Sequence, residues 1–208
     1  MKRYVQYGCG FSAPGEWVNY DASPTLRFER LPLLGKLYTR NNQRFPANVK
    51  YGDIVKGLPE HNDSCDGVYC SHILEHLAYE DFLTALQNTF KILKPGGAFR
   101  GVVPDLRAAV QDYIADYDSV EAPANQLMRG TMLGVESRPK SLISNIKGIY
   151  GNSKHLWMWD NKTLVYELKR AGFINIRTAG FNDSNDPIFK LVEEEGRFYK
   201  AAAFECNK

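Results

Sequence analysis

The sequence predicts an α/β protein built on a mainly parallel β-sheet with helices on both faces. Short apolar runs alternate with longer stretches of helical period, and strands joined through helices form right-handed crossovers in a parallel sheet. The first run, Tyr4-Val5-Gln6-Tyr7, stops abruptly in Gly8-Cys9-Gly10. Two later runs end in carboxylates, Asp21 and Asp53. Ligands of such sheets bind beyond the carboxyl ends of the strands, so those three strand ends come first in any search for function.

Residues 3–7 read as a buried strand, and the glycines after it permit a sharp turn with close approach of a ligand. Trp17-Val18-Asn19-Tyr20-Asp21 makes a second strand, and residues 49–54 a third that ends in Asp53-Ile54. Residues 66–71 are the fourth. From Glu80 to Leu93, apolar residues at Phe82, Leu83, Leu86, Phe90 and Leu93 keep a helical period. Lys94-Pro95-Gly96-Gly97 supplies the expected stop, a cation in the last turn followed by glycine. Residues 98–103 form the fifth strand. A helix follows Pro104-Asp105 as far as Tyr117, and 119–153 reads as irregular, with scattered Gly and Pro. Within one domain over 1–208, the stretch 106–158 has the length of a lid or substrate insertion. A helix over 160–171 is stopped by Gly172. Strands at 173–178 and 198–205 then suggest an antiparallel hairpin at the sheet edge.

Composition narrows the function. The chain has 208 residues and a formal net charge of +2, too little basic excess for a protein that tracks nucleic-acid phosphates. DNA is not an expected partner. Four scattered cysteines without a C-x-x-C pair argue against a disulfide framework or a thiolate zinc cage, and a reducing cytoplasm is the expected location. No apolar run is long enough to span a membrane. Between Pro24 and Lys50, Arg27, Arg30, Lys36, Arg40, Arg44 and Lys50 face one acid, Glu29. That segment is either a weak contact for a membrane surface or anionic substrate, or a solvated connection with an apolar underside.

The Gly8-x-Gly10 turn has a steric explanation as well as a functional one. A dinucleotide fingerprint would add a third glycine opening a helix and an acid about 20 residues on. This chain has Ser12, then Pro14-Gly15, and Asp21 arrives eleven residues after Gly10. A pyrophosphate cradle is disfavoured, and a phosphate-free nucleoside remains. Asp21 is an acceptor-only group suited to a ribose diol, or else a cap for the helix after Ser23-Pro24. Asp53-Ile54 suits an adenine amino group and ring, or else a simple turn.

Taken together, Gln6-Tyr7-Gly8-Cys9-Gly10, Gly52-Asp53-Ile54, Cys70 to Leu77, Leu93-Lys94-Pro95-Gly96-Gly97, Val103-Pro104-Asp105-Leu106 and Ala171-Gly172-Phe173 resemble the class I S-adenosylmethionine-dependent methyltransferases. The likeness is greatest to the small ones associated with bacterial polysaccharide and cell-surface sugar biosynthesis. The resemblance implies a Rossmann-like fold, a seven-stranded sheet with an antiparallel last strand, and S-adenosylmethionine as cofactor. It implies Gln6, Gly8 and Gly10 beneath the methionine portion, Asp21 on the ribose, Asp53 and Ile54 on the adenine, and Ser71 and His72 on the methyl-donor side. Gln6 stands where the family usually has an acid, and Ser12 where it often has a glycine. Those departures keep a non-catalytic cofactor-binding module in view.

The implied acceptor is a small molecule, a sugar or lipid-linked glycan precursor, methylated on a hydroxyl. His72, His155 and Asp105 are the side chains expected to serve as base. His72-x-x-Glu75-His76 also satisfies the inverted zincin spacing. A zinc hydrolase needs that pattern inside a helix with a third ligand from a later helix, whereas here it directly follows a strand. No metal is therefore assigned; Glu75 is expected in solvent and His76 in local packing. His155 beside Trp157 and Trp159 forms either a substrate wall or an aromatic core corner.

Overall fold

The computed structural model describes residues 2–32, 35, 43–136 and 154–208. Residues 33–34, 36–42 and 137–153, which include Lys36, Arg40 and much of the expected insertion, lie outside the described part.

Seven described strands make one sheet: β1 (Tyr4–Tyr7), β2 (Val18–Asp21), β3 (Val49–Tyr51), β4 (Cys65–Ser71), β5 (Leu93–Pro104), β6 (Ile174–Thr178) and β7 (Ala201–Asn207). Their spatial order is β3-β2-β1-β4-β5-β7-β6. β7 runs antiparallel to both its neighbours, and the other neighbouring pairs are parallel. The described α-helices are α1 (Pro24–Glu29), α2 (Tyr79–Ile92), α3 (Leu106–Asp116), α4 (Pro123–Gly130) and α5 (Asn161–Arg170).

Several boundaries differ from the sequence reading for identifiable reasons. β5 takes up Lys94 to Gly97 and starts directly after α2, because Leu93 already pairs with Cys65 and the main chain of Gly96 and Gly97 bonds Lys208. The terminal pair is antiparallel, but β7 is inserted between β5 and β6, so β6 is the edge. The chain from Glu195 to Phe198 is a 3-10 turn, and the last strand begins only at Ala201. Residues 123–130, read as irregular, are the helix α4, opened by Pro123 in the first turn where its missing N–H costs nothing. β3 stops at Tyr51, leaving Asp53 and Ile54 beyond it.

The strand period of two sorts the sheet's faces. On one face Val5, Tyr7, Val68, Cys70, Phe99 and Phe204 join Phe82 and Leu86 of α2 and Leu164 and Leu168 of α5 in the main apolar core. The opposite face carries a register-aligned polar row: Asn19, Gln6, Tyr69, Arg100 and Glu205 on adjacent strands. Such a row can be buried only if its groups satisfy one another. Arg100 does most of this. Its guanidinium bonds Glu193, Glu205 (3.0 Å) and Asp183 (2.9 Å), and it donates to the Gly180 carbonyl (2.5 Å). These partners belong to the long β6–β7 connection and β7, so the ion network fastens that connection over the sheet, beside Phe189, Trp17 and Tyr4.

Removing the guanidinium would leave the buried Glu193 carboxylate uncompensated, and Arg100→Leu is expected to lower unfolding free energy by about 3–5 kcal/mol in denaturant titrations. The same network predicts acid sensitivity. Burial opposes ionisation of Asp183, but Arg177, the Gly180 N–H and Arg100 outweigh it and hold its carboxyl at about 2. A folded pKa depressed below the unfolded one gives stability that is present above pH ~4 and lost as pH falls toward 2. Asp183→Asn should flatten that part of the stability profile.

Candidate active site

Chain order reverses between β1 and β4, the point of a doubly wound sheet where the crossovers diverge and a crevice opens. Gly8 and Gly10 line this crevice in the left-handed region, at φ of +67° and +54°. A Cβ on Gly8 would lie 2.0 Å from Ile73 Cδ1, so only glycine lets the chain after β4 close against the β1 turn. A Cβ on Gly10 would meet nothing within 4 Å, which leaves open space over that residue.

Asp21 is tied into the same turn. Its Oδ2 accepts from the Gly10 N–H (3.0 Å) and its Oδ1 from the Ser23 N–H (2.7 Å). The cap of α1 is Ser23, whose Oγ accepts from the Thr25 N–H, so Asp21 is free of that task. Each carboxylate oxygen keeps acceptor capacity beyond its one main-chain bond.

Gln6 has a structural reason to be an amide. Its Nε2 donates to the Ser12 carbonyl (2.8 Å) and to Asn19 Oδ1 (2.6 Å), and a carboxylate cannot donate. Gln6, Gly8 and Ser71 share a small, half-open cavity of about 30 Å³ with Tyr69, Glu194 and Arg197. Ser71 Oγ and Tyr69 OH are buried beside one another with no further hydrogen-bond partner among the described residues, so both keep capacity for a polar ligand atom. The volume is far below the several hundred Å³ of a nucleoside site.

Asp53 and Ile54 stand further from that role. Asp53 Oδ1 accepts from the Val55 N–H (3.0 Å) and its Oδ2 pairs with Lys56, which is turn chemistry. Ile54 is 4% exposed and packs in the main core.

The H-x-x-E-H segment holds the largest departure from the sequence reading. It forms a strand end and a 3-10 turn, with His72 at φ +52°. Glu75 is fully buried, not solvated, because the main-chain N–H groups of Leu156 and Trp157 bond its carbonyl and draw residues 155–157 over it. His155 thereby joins His72 and His76 around one carboxylate. Burial lowers the His155 pKa against the opposing pull of Glu75, whereas for His72 the Glu75 carboxylate and the Arg197 carbonyl outweigh burial and raise it. Trp159 is wholly buried against Phe82, with ring centroids 3.9 Å apart, and is core. Trp157 is 44% exposed and leans on Tyr79.

Asp105 lies apart from these histidines. It ends β5, caps α3 through Oδ1 and the Arg107 N–H, and lines a second cavity of about 250 Å³. α3 and α4 wall this cavity with Asp112, Tyr113, Asp116, Gln126 and Thr131. Neither His72 nor His155 lines it. Sequence reasoning found Asp105 but not the wall, since α4 sits in the stretch read as irregular. Of the basic segment, Arg30 donates to the carbonyls of Pro46 and Val49, and Arg27 lies over the Tyr51 ring.

Residues 5–100 match a family described as a methyltransferase domain. The fold is the Rossmann-like methyltransferase fold. An S-adenosylmethionine-dependent methyltransferase from Archaeoglobus fulgidus superposes with a TM-score of 0.50 at 17% identity, covering 100% of this chain and 86% of that one. A second from Thermotoga maritima gives 0.51 at 16%, covering 100% and 83%. The phosphoethanolamine N-methyltransferase 2 of Haemonchus contortus, in complex with S-adenosylmethionine, gives 0.50 at 13% and covers 100% of this chain and 48% of its own. No curated protein sequence matches. The domain match is to methyltransferases, and the fold is one that S-adenosylmethionine-dependent methyltransferases share. Among the described residues no helix is long and apolar enough to cross a membrane.

The Gln6 geometry makes a direct prediction. Gln6→Glu, the residue type usual in the family, should destabilise this chain by about 1–3 kcal/mol, because it strips donors from two buried acceptors. Chemical denaturation of both forms checks it.

Proposed function

We propose that the chain transfers a methyl group from S-adenosylmethionine to a hydroxyl of a small polyhydroxylated acceptor, a sugar or surface-glycan precursor, in a reducing cytoplasm. The observation that carries this reading is the cavity beyond β5. Its carboxylates, amide and hydroxyls suit the paired hydroxyls of a sugar, and the Tyr113 ring offers a stacking face. Its volume fits a small acceptor. The four cysteines are free and buried, which supports a reducing compartment.

The cofactor supplies a sulfonium methyl that already leaves readily. The residues of the chain bind and aim. Gly8 and Gly10 allow the main chain to approach the methionine portion, with Gln6 fixing the turn beneath. Ser71 and Tyr69 supply hydroxyls with spare capacity in the small cavity, and His72 borders them. Asp21 would accept from the ribose diol with its remaining lone pairs, whereas Asp53 and Ile54 are taken up by turn and core. Proximity and in-line orientation supply most of the rate. Asp105, which alone of the three expected bases lines the cavity, takes the acceptor proton. α3, α4 and the rest of 106–158 act as the acceptor lid.

Transfer of labelled methyl from S-adenosylmethionine to a panel of sugars, nucleotide sugars and amines tests this. Hydroxyl acceptors should be methylated, and Asp105→Asn should lower kcat by about 10²–10⁴ while leaving cofactor binding intact. Methylation of amines alone, or undiminished turnover by Asp105→Asn, would overturn it. Cofactor binding without turnover on any acceptor would favour the non-catalytic binding module.

A further inference from the structure

We infer that Glu75, His76 and His155, with His72 as a fourth donor, form a binding site for a divalent zinc-class metal ion. This goes beyond methyl transfer and does not rest on it.

Glu75 is the starting point. Its side chain is 0% exposed, and among the described residues no group meets its carboxylate oxygens in full hydrogen-bond geometry, His72 Nδ1 at 3.3 Å coming nearest. An ionised carboxylate left so in a protein interior costs several kcal/mol, so buried carboxylates are paired, protonated or bound to metal. The groups that converge on this one are three imidazoles. His72 Nδ1 is 3.3 Å, His155 Nε2 3.9 Å and His76 Nε2 4.0 Å from Glu75 Oε1. The ligand atoms of Glu75, His76 and His155 all lie within 4.8 Å of one another.

The far sides of the rings decide which nitrogens are bare. His76 Nδ1 lies 2.9 Å from the Lys154 carbonyl, and His72 Nε2 lies 3.0 Å from the Arg197 carbonyl. A carbonyl only accepts, so each of those nitrogens carries the ring's N–H. In neutral imidazole the opposite nitrogen is then an unprotonated lone pair, and in both rings it faces Glu75. Lone pairs aimed at a carboxylate repel it unless a second proton or a metal cation lies between them, and one metal ion can serve all the converging rings at once. A main-chain carbonyl holding the outer N–H of a ligating histidine is also the usual way such rings are oriented.

Three nitrogens and one carboxylate oxygen favour zinc and its late first-row neighbours over magnesium or calcium. A tetrahedral ion with bonds of about 2.1 Å wants donor atoms about 3.4 Å apart, a modest contraction of the spacing among Glu75, His76 and His155. The third ligand is fixed by the fold. The main-chain bonds from Leu156 and Trp157 to the Glu75 carbonyl seat His155, and Trp159 Nε1 reaches the Leu74 carbonyl beside it. Although the H-x-x-E-H spacing is that of a zinc hydrolase, the arrangement differs: here the glutamate is a ligand on a 3-10 turn, not a base on a helix.

The test uses the full chain without an affinity tag, stripped by chelator and titrated with zinc ion alone. Calorimetry and elemental analysis should give one ion per chain, and cobalt(II) should give the visible absorption of a four- or five-coordinate site. Glu75→Gln and His155→Gln should each weaken zinc binding on the order of 100-fold, and each should abolish the rise in Tm that zinc gives the wild type. If Glu75→Gln does not fold by circular dichroism, His155→Gln carries the comparison. No stoichiometric zinc, or binding that both folded variants retain unchanged, would overturn the site. So would nitrogen NMR showing His72 and His76 doubly protonated in zinc-saturated buffer, since protons would then hold the charge that the ion is inferred to hold.

Discussion

The structure depends on the pairing of β1 with β4. A parallel sheet whose order reverses at that pair must send its crossovers to opposite faces, and the carboxyl ends of the two strands are left facing an opening. The turn after β1 and the turn after β4 then meet: Gly8 has no side chain because Ile73 occupies the place a Cβ would take. From that contact follow the small cavity at Ser71, the bond from Gly10 to Asp21 across to β2, and the sharp exit that bends His72 into the left-handed region and delivers Glu75 to the interior.

The sheet's second face explains what the fold demands in return. An apolar face against α2 and α5 is built by ordinary strand alternation, but the opposite face bears Asn19, Gln6, Tyr69, Arg100 and Glu205 in register. Burying such a row calls for complementary charge from elsewhere in the chain, and the β6–β7 connection brings Asp183 and Glu193. The same connection carries Glu194 and Arg197 to the rim of the small cavity beyond β1 and the Arg197 carbonyl to His72. A stabilising ion network and the closure of the candidate site are therefore one piece of chain.

Much of the fold was legible because its signals are local. Strand and helix periods, the glycine turn and the carboxylates closing β2 and the turn after β3 sit within a few residues of one another. The insertion of β7 between β5 and β6 is a long-range pairing that no local period encodes. The identity of Gln6 as a donor became intelligible only with Ser12 and Asn19 beside it. Glu75 reads as solvated for the same reason: a glutamate between two histidines looks exposed until a segment some eighty residues away folds over it. His155 and the H-x-x-E-H spacing were each noticed in the sequence, but their meeting is a tertiary fact. The helical wall of the larger cavity was not legible because Pro123 and Gly130 look like loop punctuation, although they bound a short helix.

The central claim is that the β1–β4 crevice holds a sulfonium nucleoside through Asp21. Calorimetric titration of the wild type and of Asp21→Ala with S-adenosylhomocysteine tests it most directly. Saturable one-to-one binding by the wild type, weakened at least tenfold in a variant that still folds, is the predicted result. Absence of binding by the folded wild type, or equal affinity in both proteins, would contradict it.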